Sequence, residues 1–220
     1  MSSNRRKVTA DEAVGGVWTV VLADAERRNA IDDTFALELE ESFHEVERGG
    51  GKAVFLTSSG PAFCSGADLK RPRGTQNVAT VLSTVANSRV PVIACLDGPA
   101  VGAGAALVGV CTFAVMSSSA WIQIPEIAAL NKFPSGVVRW MRPCIDLRPL
   151  MRLVASGERL GAQRAEEIGW ITEGVDASEF EATVRSWRQR VTEMGPEILL
   201  EMQRQWVEGR SGQWISQTGR

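Results

Sequence analysis

One histidine, His44, stands among 220 residues, and the four cysteines Cys64, Cys95, Cys111 and Cys144 form no CxxC pair. So few histidines argue against a histidine-rich metal centre and a Ser-His-Asp triad. Cysteines this scattered leave no zinc knuckle and no thioredoxin motif. Neither sign of charge dominates: 24 Lys and Arg stand against 26 Asp and Glu, a net −2. Nucleic-acid affinity comes mostly from Lys and Arg neutralising phosphates, so no nucleic-acid partner is expected. The opening MSSNRRKVTADEA has basic residues but no apolar stretch behind them, so no secretory signal is read. Reduced thiols in a cytoplasmic protein are the default expectation. One uncharged run, the 19 residues Gly98 to Met116, has the length of a membrane span. It is broken by Pro99 and four glycines and has no basic flank. It is therefore expected to be two short buried elements in series, with no membrane partner.

What is present is ordinary for a globular chain: 44% hydrophobic and 23% charged residues. A chain this long buries roughly 70% of its unfolded surface and needs no staples. Val17 to Ala23 is rich in β-branched residues and predicts a strand. A polar loop follows, from Asp24 to Asn29. Phe35, Leu39, Phe43 and Val46 recur at helical spacing, predicting a helix over 33–48, capped by Asp32 or Asp33 and stopped by Gly49-Gly50-Gly51. His44 lies off that stripe and reads as a solvated helix residue. Strands are expected at 53–57, 91–96 and 113–116, and helices near 78–87 and 102–110. This alternation argues for a parallel α/β core. After Glu126 the pattern turns helical, with stripes at Leu147–Val154 and Phe180–Val191, a short helix at 161–168, an extended piece at 170–175 and a last helix at 196–208.

Three segments carry chemistry. Gly102-Ala103-Gly104 fails the dinucleotide fingerprint, because Leu107 stands where a third small residue belongs. It reads either as a helix start whose free N–H groups meet a polarised oxygen or as tight helix packing. Gly60 to Lys70 (GPAFCSGADLK) turns at Gly66 into exposed N–H groups; Ser65 is no nucleophile elbow, and Cys64 reads as a buried structural thiol. Pro125-Glu126-Ile127 places a carboxylate beside the apolar run 127–130. Burial there would raise its pKa and suit it to act as a general base; the alternative is a first-turn glutamate serving the helix dipole.

In this order and spacing, Asn29-Ala30, AFCSGADLK, PVIACLDGPAVGAG, the PE dipeptide and GERLGAQRAEEIGWITEGV resemble the crotonase superfamily, the enoyl-CoA hydratase/isomerase family, over about Val17 to Trp187. The resemblance implies an α/β fold: a spiral of repeated ββα units over 8–145 and a helical region over 146–220 used for trimer formation. It implies an acyl-CoA thioester as substrate, no metal, and no cofactor beyond the coenzyme A that is part of the substrate. It implies an oxyanion hole made by the N–H groups of Ala67 and Ala103, with Ala67, Asp68, Leu69, Lys70 and Ala103 along the coenzyme A and Lys70 toward its phosphates. Glu126 matches one catalytic glutamate of the hydratases.

The other hydratase glutamate falls on Ala106, and no acid lies within one turn of it. Family isomerases manage with one carboxylate, and the interval from Glu126 to Pro134 looks more like theirs. By the resemblance, the family's last helix, which helps to cover the pocket, is expected to be absent. The expectation is a double-bond isomerase of fatty acid metabolism, assembled as a homotrimer or dimer of trimers. A hydratase, decarboxylase or other lyase of the family remains open, as does a weakened acyl-CoA-binding partner. Trp187, Trp206 and Trp214 are expected to supply apolar surface for assembly.

Overall fold

A computed structural model describes residues 6–70 and 74–215. Nine strands and nine α-helices are described, in the order β1 (Val8–Glu12), β2 (Val17–Leu22), α1 (Asp33–Arg48), β3 (Ala53–Ser58), α2 (Gly74–Ala86), β4 (Val92–Leu96), β5 (Ala100–Val101), α3 (Ala103–Val110), β6 (Phe113–Ser117), β7 (Trp121–Gln123), α4 (Glu126–Leu130), α5 (Ser135–Met141), α6 (Leu147–Ser156), β8 (Leu160–Gly161), α7 (Ala162–Glu167), β9 (Glu173–Val175), α8 (Phe180–Glu193) and α9 (Pro196–Ile215). They build a six-stranded sheet ordered β1-β2-β3-β4-β6-β9 and a three-stranded sheet ordered β5-β7-β8. Only β1 runs antiparallel in the large sheet.

Both faces of the large sheet are covered, which is why β4, VIACL, is apolar at every position and buried throughout. On one face Val20, Leu22, Val54, Leu56, Val92 and Ala94 pack on Phe35, Leu39 and Phe43 of α1 and Val81 and Leu82 of α2. On the other, Phe55, Ile93, Cys95 and Val115 meet Phe180 and Val191 of α8 and Leu199 of α9. Helix α1 has the span the spacing predicts, with the Asp32 side chain accepting from the Phe35 N–H and Gly49 at its end. His44 is exposed on it.

The uncharged run 98–116 resolves into β5, α3 and β6. No described helix is long and apolar enough to cross a membrane. Every residue of α3 is buried, so its lack of polar side chains reflects core packing on all sides. The region expected to be mainly helical from residue 146 on also supplies β8, and β9 within the extended piece expected at 170–175; the two complete the sheets. These strands are two and three residues long, too short for a period-2 pattern to show. Helix α9 runs past the expected end at Glu208 to Ile215; the two glycines in that stretch, Gly209 and Gly212, cost a helix only about 1 kcal/mol each.

In parallel α/β sheets, ligands meet the loops beyond the strands' carboxyl ends. Three such loops converge here. The β3–α2 loop lies along the β4–α3 loop: Cys64 bridges Ala100, the Phe63 N–H donates to Pro99 O at 3.0 Å, and the Val101 N–H donates to Cys64 O at 2.9 Å. The β2–α1 loop lies on its other side, where Ile31 bridges Ala67.

Candidate active site

The backbone of the site is set by three glycines. Gly66 sits at φ +90°, and a Cβ on it would lie 2.7 Å from Val101 O and 3.4 Å from Ala103 N. A Cβ on Gly104 would lie 2.2 Å from Cys64 O. Only hydrogen fits at either position, so the start of α3 and the 64–67 segment touch backbone to backbone. Gly102, at φ +56°, performs the third approach: its Cβ would lie 2.6 Å from Glu126 Oε1. The GAD segment, the GAG segment and the PE dipeptide, far apart in the chain, thus meet at one place.

Two amides there have no backbone acceptor among the described residues. Ala103 opens α3, which has no side-chain cap, so its N–H is one of the first-turn donors a helix cannot use itself. Ala67 lies in an extended segment. Its neighbours face the β2–α1 loop, the Ile31 N–H donating to Gly66 O at 2.8 Å and the Asp68 N–H to Ile31 O at 2.9 Å. Alternation along an extended chain then turns the Ala67 N–H away from Ile31.

Glu126 begins α4, directly after Pro125. Its register is fixed by pairing of Val101 with Gln123, by the Gly102 N–H donating to Gln123 O at 2.8 Å, and by Gln123 Nε2 donating to Gly157 O at 2.8 Å. The carboxylate is half-buried, and Oε2 is buried with no hydrogen-bond partner among the described residues. Burial pushes its pKa above the ordinary 4.5, partly opposed by a hydrogen bond from its own backbone. No neighbouring charge enters that balance. The shield differs from the one the sequence suggested. Ile127, Ala128, Ala129 and Leu130 are exposed, Ile127 at 37% and Leu130 at 40%; the Gly102 backbone, from a distant segment, approaches Oε1.

The raised pKa has a consequence for stability. A carboxyl that is easier to protonate folded than unfolded contributes most below its unfolded value. That contribution is lost as pH rises through the folded value. Glu126→Gln is therefore expected to melt at a higher temperature than the natural chain at neutral pH, the difference closing below about pH 4.5. Melting curves across that range check it; a difference independent of pH would contradict the burial argument.

The remaining positions fall as follows. Leu69 is 69% exposed and Lys70 is exposed. Asp68 is 8% exposed; its carboxylate bonds Arg27 and accepts from the Lys70 N–H. Ala106 is fully buried in α3, its N–H on Gly102 O. The Cys64 and Cys95 thiols are pushed by burial up to about 12, which fits structural thiols and no nucleophile. Sequence reasoning missed the support of the site: Gln123 and Gly157 beneath Glu126, and Arg27, Asp32 and Lys7 behind Ala67.

A doubly covered parallel sheet, a second small sheet and C-terminal helices, with two backbone amides and one shielded carboxylate at the strand ends, form the crotonase fold. The structure superposes on an enoyl-CoA hydratase from Mycobacterium avium with a TM-score of 0.85 at 24% identity, covering 97% of this chain and 86% of that one. It superposes on a monofunctional enoyl-CoA isomerase from M. smegmatis with a TM-score of 0.80 at 22% identity, covering 94% and 95%. In sequence it is 24% identical over 209 residues to the mouse mitochondrial enoyl-CoA hydratase domain-containing protein 3, covering 90% of this chain and 69% of that protein. A profile of the enoyl-CoA hydratase/isomerase family matches residues 12–217. The chain belongs to the enoyl-CoA hydratase/isomerase family, whose members act on acyl-CoA substrates.

Proposed function

We propose that this family member is a one-glutamate enoyl-CoA double-bond isomerase. Glu126 removes a proton from the carbon α to the thioester carbonyl of a 3-enoyl-CoA. The negative charge spreads onto the carbonyl oxygen, which accepts from the N–H groups of Ala67 and Ala103. Glu126, now carrying the proton, returns it at the γ carbon, giving the 2-enoyl thioester. One proton leaves and one arrives, so the conversion uses no metal or redox cofactor. Each amide donor aimed at the developing oxyanion is worth about 3–4 kcal/mol in the transition state.

The observation that carries this reading is a shielded carboxylate, Glu126, that no neighbouring charge offsets, unlike the Arg27-bound Asp68, at the junction of the two amide-bearing segments, with alanine at 106 where a second acid would stand. A raised pKa lets one group both accept and return a proton near neutrality. Hydration needs water activation and α-protonation together, and lacking one member costs about 10²–10⁴-fold. The test is turnover of 3-enoyl-CoA against hydration of crotonyl-CoA. Isomerisation without matching hydration is expected; hydration at a comparable rate would overturn the reading.

In this reading Lys70, Leu69 and the backbone of Ala67 and Asp68 flank the coenzyme A, Lys70 toward phosphate. We also propose assembly as a homotrimer or dimer of trimers. Trp187 and Trp206 support it less than expected: both are half-buried, their indole N–H groups held by Glu173 at 2.7 Å and Val110 O at 3.3 Å. The Trp214 side chain lies outside the described residues. Exposed apolar side chains of the C-terminal half include instead Phe133 and Leu147, and Ile198 and Leu200 on α9, each about half exposed. Light scattering at micromolar concentration is expected to give a trimer or hexamer; a clean monomer would refute it.

A further inference from the structure

We propose that Arg27 is a positioning residue for the oxyanion site: its guanidinium holds Asp68 so that the Ala67 N–H stays aimed at the thioester oxygen. The proposal rests on the reading of Ala67 and Ala103 as oxyanion donors and adds a residue that carries neither donor nor base.

Ala67 lies outside the strands, in the extended segment between β3 and α2 that a single bridge joins to Ile31. A donor on such a segment needs something to fix its direction, because misplacement of about 1 Å costs catalysis heavily. The segment is held from behind by the β2–α1 loop. Ile31 takes both flanking peptide groups, and the Ser65 N–H donates to Arg28 O at 3.0 Å. Asn29, fully buried, donates from Nδ2 to Ser59 O at 3.2 Å and Ala62 O at 2.9 Å, and accepts from the Asp24 N–H at 2.8 Å. Arg28 and Asn29 both sit at φ +53°, a conformation that costs side-chain-bearing residues energy and persists only where surroundings enforce it. That tight turn presents Arg27 to Asp68.

The side-chain contact has its own logic. Asp68 follows Ala67 directly, so a carboxylate stands next to the place where negative charge would develop. Left unbalanced at 8% exposure, it would oppose an enolate oxygen. Arg27 meets it with one arm of the guanidinium and places the other on Asp32 Oδ2 at 2.7 Å. Asp32 is fixed in turn: it caps α1 and takes Lys7 Nζ at 2.5 Å, while Lys7 also reaches Asp24 at 3.2 Å. Burial alone would raise the Asp32 pKa, but the Lys7 hydrogen bond, the Phe35 N–H, the Lys7 charge and the Arg27 hydrogen bond outweigh it and hold it below 3.8. An alternating chain of charges thus runs from β1 and the start of α1 to the residue after Ala67. A planar two-armed cation suits this bridge, which a lysine spans poorly.

The experiment compares the natural chain with Arg27→Met and Arg27→Lys by steady-state kinetics on 3-enoyl-CoA. It adds the ultraviolet band of enolised acetoacetyl-CoA bound to each, a signal that reports oxyanion stabilisation and that a role in stability alone would not move. Arg27→Met is expected to lower kcat about tenfold with KM within about twofold, and to weaken the enolate band. Arg27→Lys is expected to fall between it and the natural chain. Natural kcat and band in both variants would overturn the proposal. So would a raised KM at unchanged kcat, which would make Arg27 a ligand contact. Should Arg27→Met fail to fold, Arg27→Lys decides: a lower kcat and weaker band at unchanged KM support the proposal, and natural values overturn it. If the natural chain neither isomerises nor enolises, the oxyanion reading itself has failed, and this proposal falls with it irrespective of the variants.

Discussion

Glu126→Gln is expected to lower isomerisation about 10²–10⁴-fold while leaving thioester binding intact. The amide keeps the shape of the side chain and removes the base. Glu126 sits where the Gly102 backbone approaches its Oε1, with Oε2 buried and unpartnered among the described residues. A thioester entering between Ala67 and Ala103 would bring its α carbon to that carboxylate. In the proposed mechanism the same group returns the proton at the γ carbon, so both half-steps are expected to fail together. The loss should therefore appear in kcat more than in KM. The measurement is steady-state turnover beside equilibrium binding of an acyl-CoA; natural turnover in Glu126→Gln would assign the proton transfer to another group.

Gly104→Ala is expected to cost a comparable amount by a different route. The added carbon would lie 2.2 Å from Cys64 O and 2.9 Å from Cys64 Cβ. Unlike Gly102, whose obstacle is the movable end of Glu126, Gly104 faces main chain, and Cys64 is anchored by its own bridge to Ala100. One of the two amide-bearing segments must shift. Overpacking of this kind destabilises by about 1–3 kcal/mol, and parting the segments weakens one donor, worth roughly 10²–10³ in kcat. Activity of the folded variant, alongside its melting temperature, checks this. A folded Gly104→Ala with natural kcat would mean that the closeness of the segments serves packing and not catalysis.

Helix α1 was legible because three signals agree on it: an apolar stripe, an Asp32 cap and the Gly49 stop. Strand β3 was legible because a parallel strand buried on both faces is continuously apolar. Strand β1 was not, since of VTADE only Val8 is buried; it is held by backbone pairing to β2, which leaves no trace in side-chain pattern. Strands β5, β7 and β8 share that reason. At the site, Glu126, Ala67 and Ala103 were reached through motifs that resemble a family, and the structure brings their segments together. The sequence neighbours of Glu126 shield it less than expected: Ile127 to Leu130 are exposed, and the backbone that approaches Oε1 is Gly102, from a distant segment. Arg27, Gln123 and Gly157 were invisible for a related reason. A charge in a loop, an amide at the end of a three-residue strand and a glycine just past a helix have no periodicity, and their arrangement about the site exists only once distant segments meet.

The most direct test of the one-carboxylate reading is the structure of Glu126→Gln with a 3-enoyl-CoA bound. The expected result is a thioester oxygen about 3 Å from both the Ala67 and Ala103 nitrogens, with the residue 126 amide against the α and γ carbons and no other ionisable side chain at either. A thioester oxygen that meets neither amide, or an α carbon facing some other acid or base, would contradict it.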